Sequence, residues 1–160
     1  RKKEGLVLGM SVAKNVTISS LGRFSKGQLI NKKQEKESVL HYKDAMRIKT
    51  PSLDQSVKLL SGGNQQKVSI AKSLSTQPKI LIMDEPTRGV DVGAKKEIYE
   101  LMNEFKRNGL GILMISSEIP ELLGVCDRIM VMSEGKIAGV LSRDKANSNE
   151  IMRLAIGAGV

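Results

Sequence analysis

The chain has 160 residues, of which 40% are apolar, which is enough for one domain with a buried core. This composition excludes a disordered tail. No apolar run approaches the roughly 20 residues that a membrane-spanning helix needs, so we expect any membrane role to depend on a partner. A single cysteine, Cys126, excludes an internal disulfide, and a single histidine, His41, leaves no zinc cluster, which favours a reducing cytoplasm.

The formal charge of +9 is distributed unevenly along the chain. Residues 1–50 contain 12 lysines and arginines against 4 acidic residues, whereas residues 51–160 contain 14 against 13. A basic segment of this kind could bind phosphate backbones, but its two aromatic residues, Phe24 and Tyr42, are too few to stack nucleic-acid bases. A solvated basic face is the favoured interpretation, with His41 as a surface residue.

The first part of the chain predicts loops and helices. A short helical turn is expected at residues 10–17, and residues 31–47 are rich in Lys, Glu and Gln before Thr50-Pro51-Ser52 interrupts the pattern. Ser61 can cap a helix that runs to about Ser75, where Gln77-Pro78 stops it.

The next part predicts a strand, a helix and a second strand. Ile80–Met83 is a continuous apolar run that ends in Asp84-Glu85-Pro86, as expected for a strand buried on both faces of a parallel sheet. Residues 92–108 carry an apolar stripe with a helical period, and Ile112–Ile115 is a second apolar strand. This order implies a right-handed crossover between parallel strands.

The last part of the chain predicts a hairpin. Its strands are expected at Ile129–Met132 and Ile137–Leu141, with Glu134-Gly135 between them. The predicted fold class is therefore α/β, with a helical subdomain at residues 1–77 and a sheet core at residues 78–160.

The most specific motif is Leu60-Ser61-Gly62-Gly63-Asn64-Gln65-Gln66. Glycines let backbone N–H groups approach a phosphate, a helix amino end carries partial positive charge, and a serine hydroxyl can donate a further hydrogen bond. By themselves, Ser61, Gly62 and Gly63 are more simply explained as a helix cap after a glycine turn. The whole motif resembles the LSGGQ signature of the ATP-binding cassette (ABC) ATPases, with Asn64 ahead of the glutamines.

Two further motifs follow in the order that this family requires. Ile80–Glu85, followed by Pro86-Thr87, resembles Walker B, in which the strand-end aspartate supports Mg²⁺ and the next acid orients or activates the attacking water. Gly89-Val90-Asp91 resembles the D-loop, whose aspartate helps to arrange the opposing site of a dimer. A capping aspartate is the alternative for Asp91 alone, but the order of the motifs makes the resemblance specific.

Longer segments are similar to one branch of the family. Gly63–Lys67 and Asp84–Lys95 resemble the second ATPase half of bacterial monosaccharide importers, the ribose type especially, and Ser11–Asn15 resembles the segment after the Q-loop. The resemblance implies two fused ATPase domains that use ATP and Mg²⁺ to power a membrane permease. It also implies a peripheral location at the cytoplasmic face of the inner membrane and a periplasmic sugar-binding protein as an indirect partner.

The resemblance also implies a set of site residues. The catalytic residues are Glu85 and Asp84, with Asp84 also at Mg²⁺, and the nucleotide-binding residues are Ser61, Gly62, Gly63, Gln65, Asp91 and Ser117. Ser117 stands where most members carry a histidine that contacts the terminal phosphate, and a serine cannot carry a positive charge there. We therefore hypothesise an asymmetric dimer, in which this chain's signature serves ATP held by the other domain and its own Walker B belongs to the weaker site.

A Walker A motif is missing from the sequence. It requires Gly-x4-Gly-Lys-Ser/Thr, so that glycine amides and a lysine hold the phosphates. The nearest match, Gly22–Leu29, has Gln28 and Leu29 where the lysine and hydroxyl belong, and is interpreted as an ordinary loop. Because the family places Walker A upstream, we expect a fragment with a partial P-loop NTPase core and no meaningful ATP turnover in isolation.

Two alternatives to a transport ATPase remain at this point. A soluble ABC ATPase that acts on nucleic acid is supported mainly by the basic residues 1–50, although nucleic acid is the less favoured partner. A non-catalytic interaction module would use residues 1–77 to dock a partner, and the intact Asp84 and Glu85 argue against it. The resemblance implies that the permease and the binding protein, rather than the ATPase, select the transported sugar.

Overall fold

The computed structural model describes residues 5–27 and 29–157. Its helices are α1 (Val12–Thr17), α2 (Lys32–Ala45), α3 (Gly62–Leu74), α4 (Val92–Arg107), α5 (Ile119–Val125) and α6 (Ser148–Ala155). Its strands are β1 (Ser25–Lys26), β2 (Leu29–Ile30), β3 (Ile80–Asp84), β4 (Gly111–Ile115), β5 (Arg128–Ser133) and β6 (Lys136–Ser142). Within this described part, the strands pair as β1–β2, β3–β4 and β5–β6.

The chain divides into two compact units. The first contains the described residues up to Leu81 together with Thr87–Leu113, and the second contains Ile82–Pro86 and the described residues from Met114 on. The division at residue 77 into a signature subdomain and an ATPase core rests on function, not on compactness, and stays a prediction.

The first unit is built around α1, α2, α3 and α4. Helix α1 packs against α2 and α3, and α3 packs against α4. Each helix begins at a side-chain cap, which satisfies an otherwise unpaired N–H group of the first turn. The capping residues are Ser11, Asn31, Ser61 and Asp91. The fully buried side chains on these helices are Val12, Asn15, Val16, Thr17, Val39, Lys67, Val68, Ala71, Ile98 and Leu101.

The predicted helices of this unit are confirmed. Helix α3 begins after its N-cap, Ser61, and ends at Leu74 before its C-cap, Ser75. Helix α4 buries Ile98, Leu101 and Met102 from the predicted apolar stripe. His41 is exposed, as predicted, and its ring packs against Tyr42 with the centroids 5.2 Å apart.

Strands β3 and β4 form the predicted parallel pair. Gly111 N–H donates to the Lys79 carbonyl at 3.0 Å, and Glu85 N–H donates to the Ile115 carbonyl at 2.8 Å, so both strands run in the same direction. The expectation that β3 is buried on both faces is wrong. Its burial alternates, because only the face with Leu81 and Met83 is packed, whereas Ile80 and Ile82 are each 65% exposed.

The second unit contains the predicted hairpin of β5 and β6. The strands are antiparallel, and Glu134 and Gly135 between them both have positive φ, as a tight hairpin turn requires. Helices α5 and α6, which were not predicted, complete this unit. Ile151 and Leu154 of α6 pack with Ile129 and Val131 of β5 in one apolar cluster.

The segment that most resembles Walker A has a different local structure. Gly22 lies in a short 3-10 helix, Leu21–Phe24, and β1 and β2 then form a small hairpin. Gln28, which replaces the required lysine, lies outside the described residues. Because a P-loop leads directly into a helix, the hairpin agrees with an ordinary loop at this position.

Among the residues that the structure describes, none of the helices is both long enough and apolar enough to cross a bilayer.

Candidate functional site

The predicted signature loop, residues 60–66, lies at the amino end of α3 in the first unit. Ser61 is the N-cap, and its Oγ accepts the backbone N–H of Asn64 at 3.4 Å and the side-chain Nδ2–H of Asn64 at 3.0 Å. The first turn of α3, which the structure describes in full, contains no acidic residue. Since Ser61 and Gly62 are exposed, this helix end can present N–H groups and a hydroxyl to an anion.

Gln65 is directed back towards the residues that precede the helix. Its Nε2 donates to the Val57 carbonyl at 3.2 Å and to the Leu60 carbonyl at 3.1 Å. These bonds hold the turn that leads into the loop, and this supporting role was not predicted. Direct contact of Gln65 with a nucleotide stays a prediction.

The two signature glycines have different surroundings. A Cβ at Gly63 would lie 2.6 Å from Cβ of Ala94 in α4, whereas a Cβ at Gly62 would meet its nearest atom, the Gly89 carbonyl oxygen, at 3.5 Å. The first distance is a clash and the second is an ordinary contact. Gly63 is therefore required for the close approach of α3 and α4, in addition to any part it has in phosphate binding.

Asp91, the predicted D-loop aspartate, is the N-cap of α4. Its Oδ1 accepts the N–H of Ala94 at 2.9 Å, and its Oδ2 lies 4.0 Å from the position of a Cβ at Gly63. The capping interpretation is thus confirmed, and the capping role places the aspartate beside the signature loop. The two helix ends border a depression of about 270 Å³, lined by Lys49, Ser61, Gly63, Asn64, Lys67, Asp91, Gly93, Ala94 and Glu97.

An ion pair between a buried lysine and a partly exposed glutamate joins α3 to α4 at this depression. Lys67 is 2% exposed, and its Nζ donates to Oε2 of Glu97 and, at 3.1 Å, to the Arg47 carbonyl. The hydrogen bond from Lys67, together with its charge, lowers the pKa of Glu97. This pair was missed in the sequence, because no local pattern links a residue of α3 to one of α4.

Glu85, the predicted catalytic acid, lies in the second unit at the carboxyl end of β3. Its backbone adopts φ = +46°, and its N–H donates to the Ile115 carbonyl. Its Oε1 accepts the backbone N–H of Ser117 at 2.8 Å. The structure therefore brings together two predicted site residues, and their contact uses the backbone of Ser117 rather than its side chain.

Ser116, the residue before Ser117, is hydrogen-bonded to a second carboxylate, that of Glu121. Ser116 Oγ donates to Oε2 of Glu121 at 3.0 Å and accepts the N–H of Glu118 at 3.0 Å. Glu121 is only 6% exposed. This arrangement fixes the turn from which the Ser117 N–H reaches Glu85, and Glu121 was not predicted as part of the site.

Asp84, the predicted Mg²⁺ ligand, is an exposed residue at the end of β3. Across residues 5–27 and 29–157, no group of three or more His, Cys, Asp or Glu side chains gathers to hold a metal by itself. Magnesium is usually bound through one or two carboxylates together with substrate phosphates. The exposed carboxylate of Asp84 therefore fits Mg²⁺ that arrives with a nucleotide.

The predicted site residues fall into two groups. Ser61, Gly63 and Asp91 lie close together in the first unit, and Glu85 and Ser117 are in contact in the second unit. The first group lies at an exposed helix amino end, and the second contains a carboxylate oriented by a backbone N–H. Their roles in nucleotide binding and hydrolysis stay predictions.

The sequence matches the family described as ABC transporter over residues 1–88. The chain is 57% identical over 158 residues to the ribose import ATP-binding protein RbsA of Clostridium perfringens, in strains SM101 and 13. These alignments cover 98% of the chain but 32% of each relative, so the chain spans about a third of the length of these curated relatives. Nothing in these matches supports the nucleic-acid alternative.

Solved structures show the same fold. The ADP conformation of MJ1267, an ATP-binding cassette of an ABC transporter, aligns with a TM-score of 0.77 at 23% identity, covering 94% of this chain and 64% of that chain. The structure of cbiO1 from Clostridium perfringens, part of the ABC transporter complex cbiONQ, aligns with a TM-score of 0.73 at 25% identity, covering 90% and 55%. Because the family match over residues 1–88 covers more than half of the chain, the chain belongs to the ABC transporter family.

Proposed function

We propose that the chain is part of an ATP-hydrolysing subunit that powers the import of a ribose-type monosaccharide. The observation that carries the catalytic part is the hydrogen bond between Ser117 N–H and Oε1 of Glu85, at the carboxyl end of β3. The support for the transported substrate is the 57% identity to the ribose import ATP-binding proteins.

Glu85 is proposed to orient and activate the attacking water. The backbone N–H of Ser117 orients the carboxylate of Glu85, and a positioned carboxylate can accept a proton from water. The neighbouring Asp84 is proposed as the Mg²⁺ ligand. When bound with the nucleotide, Mg²⁺ neutralises charge on the phosphate oxygens.

The signature loop is proposed to bind the terminal phosphate of ATP held by a second ATPase domain. Ser61 supplies a hydroxyl, Gly62 and Gly63 supply backbone N–H groups, and Gln65 holds the loop in shape. Asp91 is proposed to link the two sites, since it caps α4 next to Gly63.

The two groups are proposed to serve opposite sites of unequal competence. Ser117 has no positive charge to offer a terminal phosphate, so the site that contains Glu85 is the weaker one. In the full-length protein, Ser61→Ala is then expected to reduce steady-state ATP turnover much more than Glu85→Gln. Equal and near-total losses in both variants would contradict the asymmetric arrangement.

The remaining partners follow from the importer assignment. They are the second ATPase domain, the membrane permease subunits and, indirectly, a periplasmic sugar-binding protein, with the ATPase at the cytoplasmic face of the membrane. Residues 1–77 are proposed as the signature subdomain and residues 78–160 as part of the ATPase core. In a strain whose ribose importer lacks its ATPase, the full-length protein should restore uptake of labelled ribose, and restored uptake of another monosaccharide alone would reject ribose as the substrate.

The 160-residue chain alone is expected to have no meaningful ATP turnover, because it lacks a Walker A sequence. Phosphate release from Mg-ATP by the purified chain measures this. Saturable release that is abolished by Glu85→Gln would show that the chain contains a complete active site.

A further inference from the structure

Asn64 connects the signature serine to the segment that follows α2. Its Oδ1 accepts the backbone N–H of Lys49 at 2.8 Å, and its Nδ2 donates to Oγ of Ser61 at 3.0 Å. A backbone N–H can only donate, so the bond to Lys49 determines which end of the amide is the oxygen. The amide nitrogen must then face Ser61.

This orientation determines the direction of the Ser61 hydroxyl. Oγ of Ser61 accepts two hydrogen bonds from Asn64, one from Nδ2 and one from the backbone N–H at 3.4 Å. A hydroxyl has two acceptor positions and one proton. With both acceptor positions taken from within the helix, the proton is left to point out of the loop, where Ser61 is exposed.

We propose that Asn64 is a positioning residue that makes the Ser61 hydroxyl a donor towards bound phosphate. The proposal rests on the proposed function of the signature loop. Asn64 lies in the third position of α3, and its amide spans the distance between the Lys49 N–H and Ser61 Oγ. Its role is to orient the serine, and it does not itself contact the phosphate.

The substitution Asn64→Asp tests this geometry because it preserves the size of the side chain. One carboxylate oxygen still accepts the Lys49 N–H, but the other replaces the amide donor at Ser61. The serine hydroxyl must then donate inwards, to this new carboxylate oxygen, and its proton is withdrawn from the phosphate. An acidic residue in the first turn of a helix is stabilising, so the variant is expected to unfold at no lower temperature than the unchanged protein.

The new charge also repels phosphate, and a double-mutant cycle with Ser61→Ala separates the two effects. In the full-length protein, steady-state ATP turnover is measured for the unchanged protein, both single variants and the double variant. Without the hydroxyl, Asn64→Asp acts through its charge alone. The cycle compares the fold reduction in turnover that Asn64→Asp causes in two backgrounds, the unchanged protein and the Ser61→Ala variant. We expect this reduction to be at least about three times larger in the unchanged protein.

If these two fold reductions differ by less than about threefold, the proposed role of Asn64 is overturned, because the two residues then act independently. Ser61→Ala is expected to reduce turnover by about tenfold to a hundredfold, which leaves a measurable rate. If Ser61→Ala leaves turnover unchanged, the proposed function of the loop is wrong and the role of Asn64 is overturned with it. The two failures are therefore distinguished by the Ser61→Ala variant alone.

Discussion

The close approach of Gly63 to Ala94 leads to a quantitative prediction. A methyl group at position 63 would lie 2.6 Å from Cβ of Ala94, whereas carbon atoms in contact are normally about 3.5–4.0 Å apart. The amino ends of α3 and α4 would have to separate by about 1 Å. Overpacking costs about 1–3 kcal/mol, and the better helix propensity of alanine offsets part of this, so Gly63→Ala is expected to lower the free energy of unfolding by about 1–2 kcal/mol.

Thermal unfolding of the 160-residue chain, followed by circular dichroism, measures this effect. For a chain of this size, the expected decrease in the midpoint is about 2–8 °C. Gly62→Ala is the matched control, because its new methyl group makes only an ordinary contact at 3.5 Å. Adding Ala94→Gly should restore most of the stability lost in Gly63→Ala. An unchanged midpoint in Gly63→Ala, or no recovery in the double variant, would refute the close-packing explanation.

Three further predictions concern ion pairs and side-chain hydrogen bonds. Glu97→Ala should destabilise the chain by about 2 kcal/mol in urea unfolding, less than a fully buried pair would, because Glu97 is 37% exposed while Lys67 is buried. Glu100→Ala, which removes an exposed pair with Arg47, should cost under about 1 kcal/mol, and equal costs would contradict this ranking. Because the hydrogen bond and charge of Lys67 lower the pKa of Glu97, their stabilisation is complete above the ordinary value of 4.5 and is lost as the pH falls through the lowered pKa. Glu97→Gln should therefore flatten the acid side of the stability profile, and an unchanged profile would count against the pair. Asn15 is fully buried, and its side-chain amide accepts the N–H of Val7 and donates to the Val7 carbonyl. Asn15→Ala should therefore lower the free energy of unfolding by about 2–3 kcal/mol, and a loss under about 0.5 kcal/mol would show that these hydrogen bonds contribute little.

The elements with strong local signals were predicted from the sequence. Ser61 ahead of α3, the apolar stripe of α4 and the Glu134-Gly135 turn each specify a structure within a few neighbouring residues. Helix α6 was missed although a local signal was present. Asn147 caps it through the N–H of Glu150, and Ile151 and Leu154 have the spacing of one helical face.

Several other features that were not predicted depend on contacts between distant parts of the chain. The pairing of Lys67 with Glu97 and the clash that a side chain at Gly63 would cause with Ala94 are determined by how α3 packs on α4. The burial of a single face of β3 depends on what packs against the strand, and an apolar run such as Ile80–Met83 carries no information about that. The motifs predict a chemistry for each group of site residues, whereas the residues that support each group are determined by packing.

The left-handed backbone of Glu85 has a consequence for protein engineering. A φ of +46° suits glycine or asparagine, and another residue in this region costs about 1 kcal/mol or more. The carboxylate beside Ser117 is therefore retained at the expense of stability. A screen that selects only for heat resistance would be expected to enrich glycine or asparagine at position 85 and, in doing so, to discard the carboxylate that is proposed to activate water in its own site.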